Sequence, residues 1–130
     1  MRAFTLLPAL ALLAAAPLLA RSDAVPLSPK AEQALAGRTA GKPVSCIQLN
    51  RSNGTQLVDK TALIYKQSRH LWYVNQPDGG RCISLNPNRA ITSSTSTAQL
   101  CANDLITVID PSSGISFGSC GLGEFVPYTK

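Results

Sequence analysis

One histidine, one tryptophan and seven acidic residues are all that the 130-residue chain holds of those types. Any catalysis by an imidazole therefore rests on His70 alone. No Cys-x-x-C occurs, because Cys46, Cys82, Cys101 and Cys120 follow one another at intervals of 36, 19 and 19 residues. That excludes the paired-ligand spacing of a structural zinc site and the thioredoxin-type redox motif. No glycine-rich stretch leads into a lysine or a helix start, so "DGGRC" at 78–82 reads as a loop and "CGLGEF" at 120–125 as a bend or bulge. No metal or cofactor is expected. Beyond residue 43 no helix-length amphipathic segment appears either.

The only long apolar run stands at the start. Arg2 followed by "FTLLPALALLAAAPLL", from Phe4 to Leu19, has the charge, length and position of a secretory signal segment and is too short for a membrane span. Small residues at Ser22 and Ala24 place cleavage before Val25, with a cut after Ala20 as the alternative. Residues 1–24 are thus read as a signal peptide, and no membrane span is expected after its removal. The remaining chain has ten basic residues against six acidic, a charge of +4, and from Pro43 onward seven against five, or +2. Those charges are scattered singly along the sequence, without the run of cations that many phosphates would require, so nucleic acid is not an expected partner.

Export changes the meaning of the cysteines. Four in a short exported chain read as two disulfides, formed in the periplasm or outside the cell. Residues 25–42 form a leader in which Ser28 serves as N-cap, Pro29 occupies the first helical position and Gly37 ends the helix, giving a short helix over 29–36. With little beyond Leu35, Ala31 and Ala34 to bury, that helix either docks or frays.

Residues 43–130 form the domain proper, an all-β segment of short runs separated by turn residues. Strands are expected at 44–49, 56–58, 61–66, 70–75, 90–95, 105–110, 115–120 and 124–128. A tight turn at Ser68 and Arg69 pairs Leu63 with Val74, Tyr65 with Trp72, and Ile64 with Tyr73, which makes both faces of that hairpin apolar. An Asn-Gly hairpin at "SNGT", 52–55, would send Leu57 to the wrong side, so a bulge or longer loop is equally consistent. The expected fold is a small barrel or sandwich of about seven mainly antiparallel strands, with the short helix or a long loop over one wall. The turn "PSSG" at 111–114 sets Cys120 opposite Leu105 and disfavours a bond between Cys101 and Cys120. Two connectivities remain: crossed (46 with 101, 82 with 120) and nested (46 with 120, 82 with 101).

Three groups of residues invite a functional reading. His70, Cys101 and Asp104 or Asp110 supply the residue types of a Cys-His-acid hydrolase, but only with Cys101 as a free thiolate. A disulfide at Cys101 and a solvent-exposed turn at His70 are the plainer expectations, with Asp104 and Asp110 bounding a strand. The aromatics Tyr65, Trp72 and Tyr73 form a candidate binding surface for sugars or unstacked bases, against the alternative of a core pair between Tyr65 and Trp72. No catalytic residue is assigned.

The stretches "LAGRTAGKPVSCI" (35–47), "LWYVNQP" (71–77), "QLC" with the spaced acids Asp104 and Asp110, and the ending "SSGISFGSCGLGEFVPY" (112–128) resemble short exported proteins of sphingomonad-type alphaproteobacteria, a group without a known function. The resemblance covers nearly all of the chain after the signal segment and implies a bacterial envelope or secreted protein. It carries over no site residues. The expectation is a non-enzymatic β domain that meets a protein or an envelope glycan. An inhibitor or accessory subunit of an envelope enzyme is the first alternative, and a cysteine hydrolase the second.

Overall fold

The structure, a computed structural model, describes residues 24–51, 54–95 and 97–130. Residues 1–23 of the expected signal peptide, Ser52 and Asn53 of the "SNGT" stretch and Ser96 lie outside the described residues. Among the described residues the chain forms one α-helix and ten strands in three antiparallel sheets. No helix among them is long and apolar enough to cross a membrane.

The leader docks. Its helix α1, Pro29–Ala34, starts where the capping residues place it, with the Ser28 hydroxyl accepting the Ala31 amide at 3.2 Å. It stops two residues short of the expected end: the C-cap Leu35 leaves the helical range with φ −98° and ψ 7°, the Ala36 amide reaches back three residues to the Gln33 carbonyl, and Gly37 adopts a left-handed φ of 80°. Ala31 and Leu35 are buried on a cluster made with Val58, Ala62, Ile64 and Val74. The Ser28 hydroxyl also donates to Asp59. Burial raises the Asp59 carboxyl, but hydrogen bonds from Ser28, Thr61 and Ala62 outweigh it and leave the group below its ordinary value. Further upstream, the Val25 amide donates to the Gly79 carbonyl at 2.8 Å and Gln76 Nε2 donates to the Val25 carbonyl at 2.7 Å. Packing and these bonds hold in place a helix too short to persist alone.

The largest sheet has five strands: β1 (Thr39–Ala40), β3 (Thr55–Asp59), β4 (Ala62–Lys66), β5 (Leu71–Asn75) and β10 (Val126–Thr129), in the order β1-β10-β5-β4-β3. Its strands bury both faces, as period-two alternation requires. Leu57, Leu63 and Tyr65 face the main core, while Val58, Ala62, Ile64 and Val74 face α1. Two smaller sheets complete the main core. One pairs β2 (Cys46–Gln48) with β7 (Gln99–Cys101), and the other orders β6 (Ala90–Ser93), β8 (Leu105–Ile109) and β9 (Ser116–Gly121) as β6-β8-β9. Ile47, Leu100, Ile106, Val108 and Cys120 project from them onto Phe125, which is fully buried.

The all-β expectation and the helix over one wall hold at this level, but the sheets do not close into a barrel. The count is ten strands rather than about seven, because β1 and β7 are too short to show a period. β2 pairs with β7 and leaves β3 to pair with β4, so the 44–49 and 56–58 runs are not hairpin partners.

Register is where the structure departs most from the sequence reading. β4 and β5 pair Leu63 with Asn75, Ile64 with Val74, Tyr65 with Tyr73 and Lys66 with Trp72, one residue off the expected alignment. The connection is longer than a two-residue turn: the Gln67 and Ser68 amides both donate to the Leu71 carbonyl, and the Ser68 hydroxyl accepts the amides of His70 and Leu71. A slip of one residue moves Trp72 to the opposite face from Tyr65. Between β8 and β9 the expected alignment survives only at Ile109 and Ser116; a bulge then shifts Cys120 from Leu105 to Ile106.

The cysteine pairing is the crossed one, which removes the nested alternative. Cys46 and Cys101 stand directly opposite in the β2–β7 ladder with Cα atoms 4.0 Å apart. Cys82 joins Cys120 across 6.0 Å and ties the loop after β5 to β9 inside the main core.

Candidate functional site

The hydrolase residues do not assemble into a nucleophilic centre. Cys101 is bonded to Cys46 and carries no thiol. His70 is exposed in the β4–β5 loop. Both acids serve the backbone instead. Asp104 Oδ2 accepts the Cys101 amide at 2.7 Å across a turn in which Asn103 takes a left-handed φ of 73°. Asp110 Oδ1 accepts the Ser112 hydroxyl and the amides of Ser112 and Ser113, at 2.6, 2.8 and 3.0 Å. The Ser112 hydroxyl, followed by those two amides, lowers the Asp110 carboxyl to about 2.

The aromatic trio is divided by the sheet. Tyr65 is 2% exposed and meets Phe125 edge-on at 5.7 Å, and Tyr73 meets the same ring at 6.5 Å. Both face the main core, whereas Trp72 packs on the helix side beside Tyr128. The three therefore form no common platform, and Trp72 and Tyr65 are not a cross-strand pair.

Trp72 is the floor of something else. At one end of the five-stranded sheet lies a groove of ≈ 580 Å³ lined by Arg38, Lys66, Ser68, Arg69, His70, Trp72 and Lys130. That volume falls within the range of about 300–1,000 Å³ usual for small-ligand sites. Topology brings the side chains together. Arg38 immediately precedes edge strand β1, Lys66 ends β4 directly across from Trp72, Arg69 and His70 sit in the following loop, and Lys130 follows β10. The Lys130 amide donates to the His70 carbonyl at 3.1 Å, which fixes the end of β10 against the loop. Arg38, Lys66, Arg69 and Lys130 are separated in sequence by 28, 3 and 61 residues, so no run of charge announced them. The reading of singly scattered charge holds for the sequence and fails for the surface.

Two of the cations lie on the indole itself. The Arg38 guanidinium carbon is 3.5 Å from the Trp72 ring centroid and Lys66 Nζ is 4.5 Å from it. Arg38 Nη2 donates to the Arg69 carbonyl at 2.8 Å, while Nη1 is buried without an acceptor among the described residues. No acidic side chain lines the groove among the described residues. Glu32 of α1 is the acid whose field reaches its margin: after burial, it is the second cause that raises the hydroxyl of Tyr128, the residue paired with Trp72 on the β10 side. What this arrangement offers is a cationic groove whose indole is already engaged by cations. An anion gains from it more than a stacked neutral ring does. Compared with known proteins, the chain matches no family model, no curated protein and no solved structure.

Proposed function

We propose that the protein is a non-enzymatic, exported β domain of the bacterial envelope that binds an acidic glycan in the groove around Trp72. The observation that carries the reading is the convergence of Arg38, Lys66, Arg69 and Lys130 on a groove lined by no acidic side chain among the described residues. Export rests on the signal-like segment at 4–19, the resemblance to exported proteins of sphingomonad-type alphaproteobacteria, and the use of all four cysteines in disulfides, which suits a periplasmic or extracellular setting. An acidic glycan fits better than single-stranded nucleic acid, because Arg38 and Lys66 occupy the indole on which a base would stack.

The test is electrophoresis of the folded, oxidised protein through gels containing polygalacturonate, dextran or single-stranded DNA. Polygalacturonate is expected to retard the protein and dextran to leave it unaffected, with the retardation lost in a K66Q/R69Q/K130Q variant. Equal retardation by dextran, none by polygalacturonate, or stronger retardation by DNA would contradict the proposal.

A second reading, an inhibitor or accessory subunit of an envelope enzyme, draws on a different place. β9 is an edge strand whose neighbourhood exposes Ile115, Phe117 and Leu105 at 61%, 41% and 64%, and residues 111–123 carry no charge. Such an edge accepts an extended strand from a partner. Binding of a partner protein that survives the K66Q/R69Q/K130Q change and is lost on placing a lysine at Phe117 would favour this reading.

A further inference from the structure

We infer that the unit recognised in the groove is a single oxyanion, a carboxylate or a phosphate, and that Arg38 receives it by turning its guanidinium off the Trp72 ring. The inference rests on the acidic-glycan reading and names the group that the glycan would have to present.

In the structure Arg38 is under-paired. Of the guanidinium's five N–H donors, arranged in a planar fork, Nη2 reaches one uncharged acceptor, the Arg69 carbonyl at 2.8 Å, and Nη1 is buried with none among the described residues. A buried donor without an acceptor is a cost that any rearrangement supplying one relieves. The stack on Trp72 offsets part of that cost but gives Nη1 no hydrogen bond.

The surroundings permit the exchange and favour an anion in it. Arg38 stands just before a two-residue edge strand, and its guanidinium is held by one hydrogen bond to the Arg69 carbonyl and by the Trp72 face. Lys66, Arg69 and Lys130 line the same groove, and their mutual repulsion falls when a negative charge enters. An oxyanion offers the fork two acceptors in its own plane and a full negative charge, whereas the Arg69 carbonyl that the turn gives up offers the same cation one uncharged acceptor. A neutral hydroxyl offers neither the charge nor the paired geometry. Lysine in place of Arg38 would keep the charge and lose the fork.

Trp72 is the only tryptophan of the chain, so its emission reports this ring without a competing signal. The folded, oxidised protein is titrated at constant ionic strength with sodium glucuronate, inorganic phosphate and glucose. A saturable emission change with glucuronate, phosphate or both, and none with glucose, is the expected result. Glucuronate alone identifies a uronic acid as the source of the oxyanion, and phosphate alone a phosphorylated sugar. R38K is expected to weaken the binding about tenfold and R38Q to abolish it. R89Q removes an equal charge from a position stacked on Phe117, and is expected to bind as the unaltered protein does. No saturable response to either anion, or an unchanged affinity in R38K, overturns the inference; if R38Q does not fold, R38K decides. Retardation by polygalacturonate in gels that persists without any response to the small anions would leave the glycan reading standing and remove the role given to Arg38.

Discussion

Asn75 has no exposed surface, and both ends of its side-chain amide are paired with one residue: Nδ2 donates to the Gly123 carbonyl at 2.8 Å, and Oδ1 accepts the Gly123 amide at 3.0 Å. It is the peg that holds the 122–124 segment to β5. Asn75→Ala strands the two Gly123 groups, and with an orphaned buried group costing about 1–3 kcal/mol the expected loss is about 2–4 kcal/mol in denaturant unfolding. Tyr65 is the opposite case, since its hydroxyl is buried with no partner among the described residues and burial pushes its ionisation far above the usual tyrosine range. Tyr65→Phe removes that orphan and keeps the ring against Phe125, so the midpoint of unfolding should stay level or rise by the equivalent of about 1 kcal/mol. A loss of more than that would mean the hydroxyl has an acceptor. At this scale the sequence was informative about type and silent about partner. The four cysteines could be read as bonded, yet Cys46 met Cys101 only because β2 and β7 pair, and nothing in a three-residue "QLC" run signals its ladder. Nothing in the sequence marks Asn75, since a buried asparagine is identified by what surrounds it.

The elements were legible where chemistry punctuates the chain, and the registers were not. Ser28 and Pro29 place the start of α1 to the residue, and Gly37 its end to within two, because caps act on their own backbone. The β4–β5 alignment depends on how many residues the loop uses. The Ser68 hydroxyl, by accepting the amides of His70 and Leu71, spends more of the chain on the turn than the two residues expected. That single residue decides whether Trp72 lines the core or a groove. The β8–β9 turn gives an element its own pH test. Asp110 is lowered to about 2 by the Ser112 hydroxyl and the Ser113 and Ser112 amides, so the turn it closes is stabilised above the ordinary carboxylate range and loses that support as pH falls toward 2. The prediction is that D110N melts below the unaltered protein at pH 7, that the gap narrows between about pH 4 and pH 2, and that it closes below it. A gap independent of pH would show that the carboxylate's charge is not what closes the turn.

At the scale of the molecule, the described residues form three sheets of modest size and one short helix that share two clusters of buried side chains, and the disulfides span separations of 55 and 38 residues between them. In a chain-entropy treatment, closing a loop of 55 residues stabilises the fold by about 4 kcal/mol, comparable with the net stability of a small domain. C46A/C101A should therefore be largely unfolded at 37 °C or melt far below the parent protein, as read by far-UV circular dichroism. The basic groove also exists only at this scale. Arg38 and Lys130 meet because β1 and β10 are neighbours, and Lys66 and Arg69 join them because β5 lies next in order. No window of sequence contains that arrangement, which is why the charge looked scattered.

The most direct check on the anionic-glycan account is the affinity for polygalacturonate measured by Trp72 emission at a series of salt concentrations. Four cations that displace counter-ions from a linear polyanion, each contributing about 0.7, predict a log–log slope of about −2 to −3. An affinity that does not change with salt would contradict it.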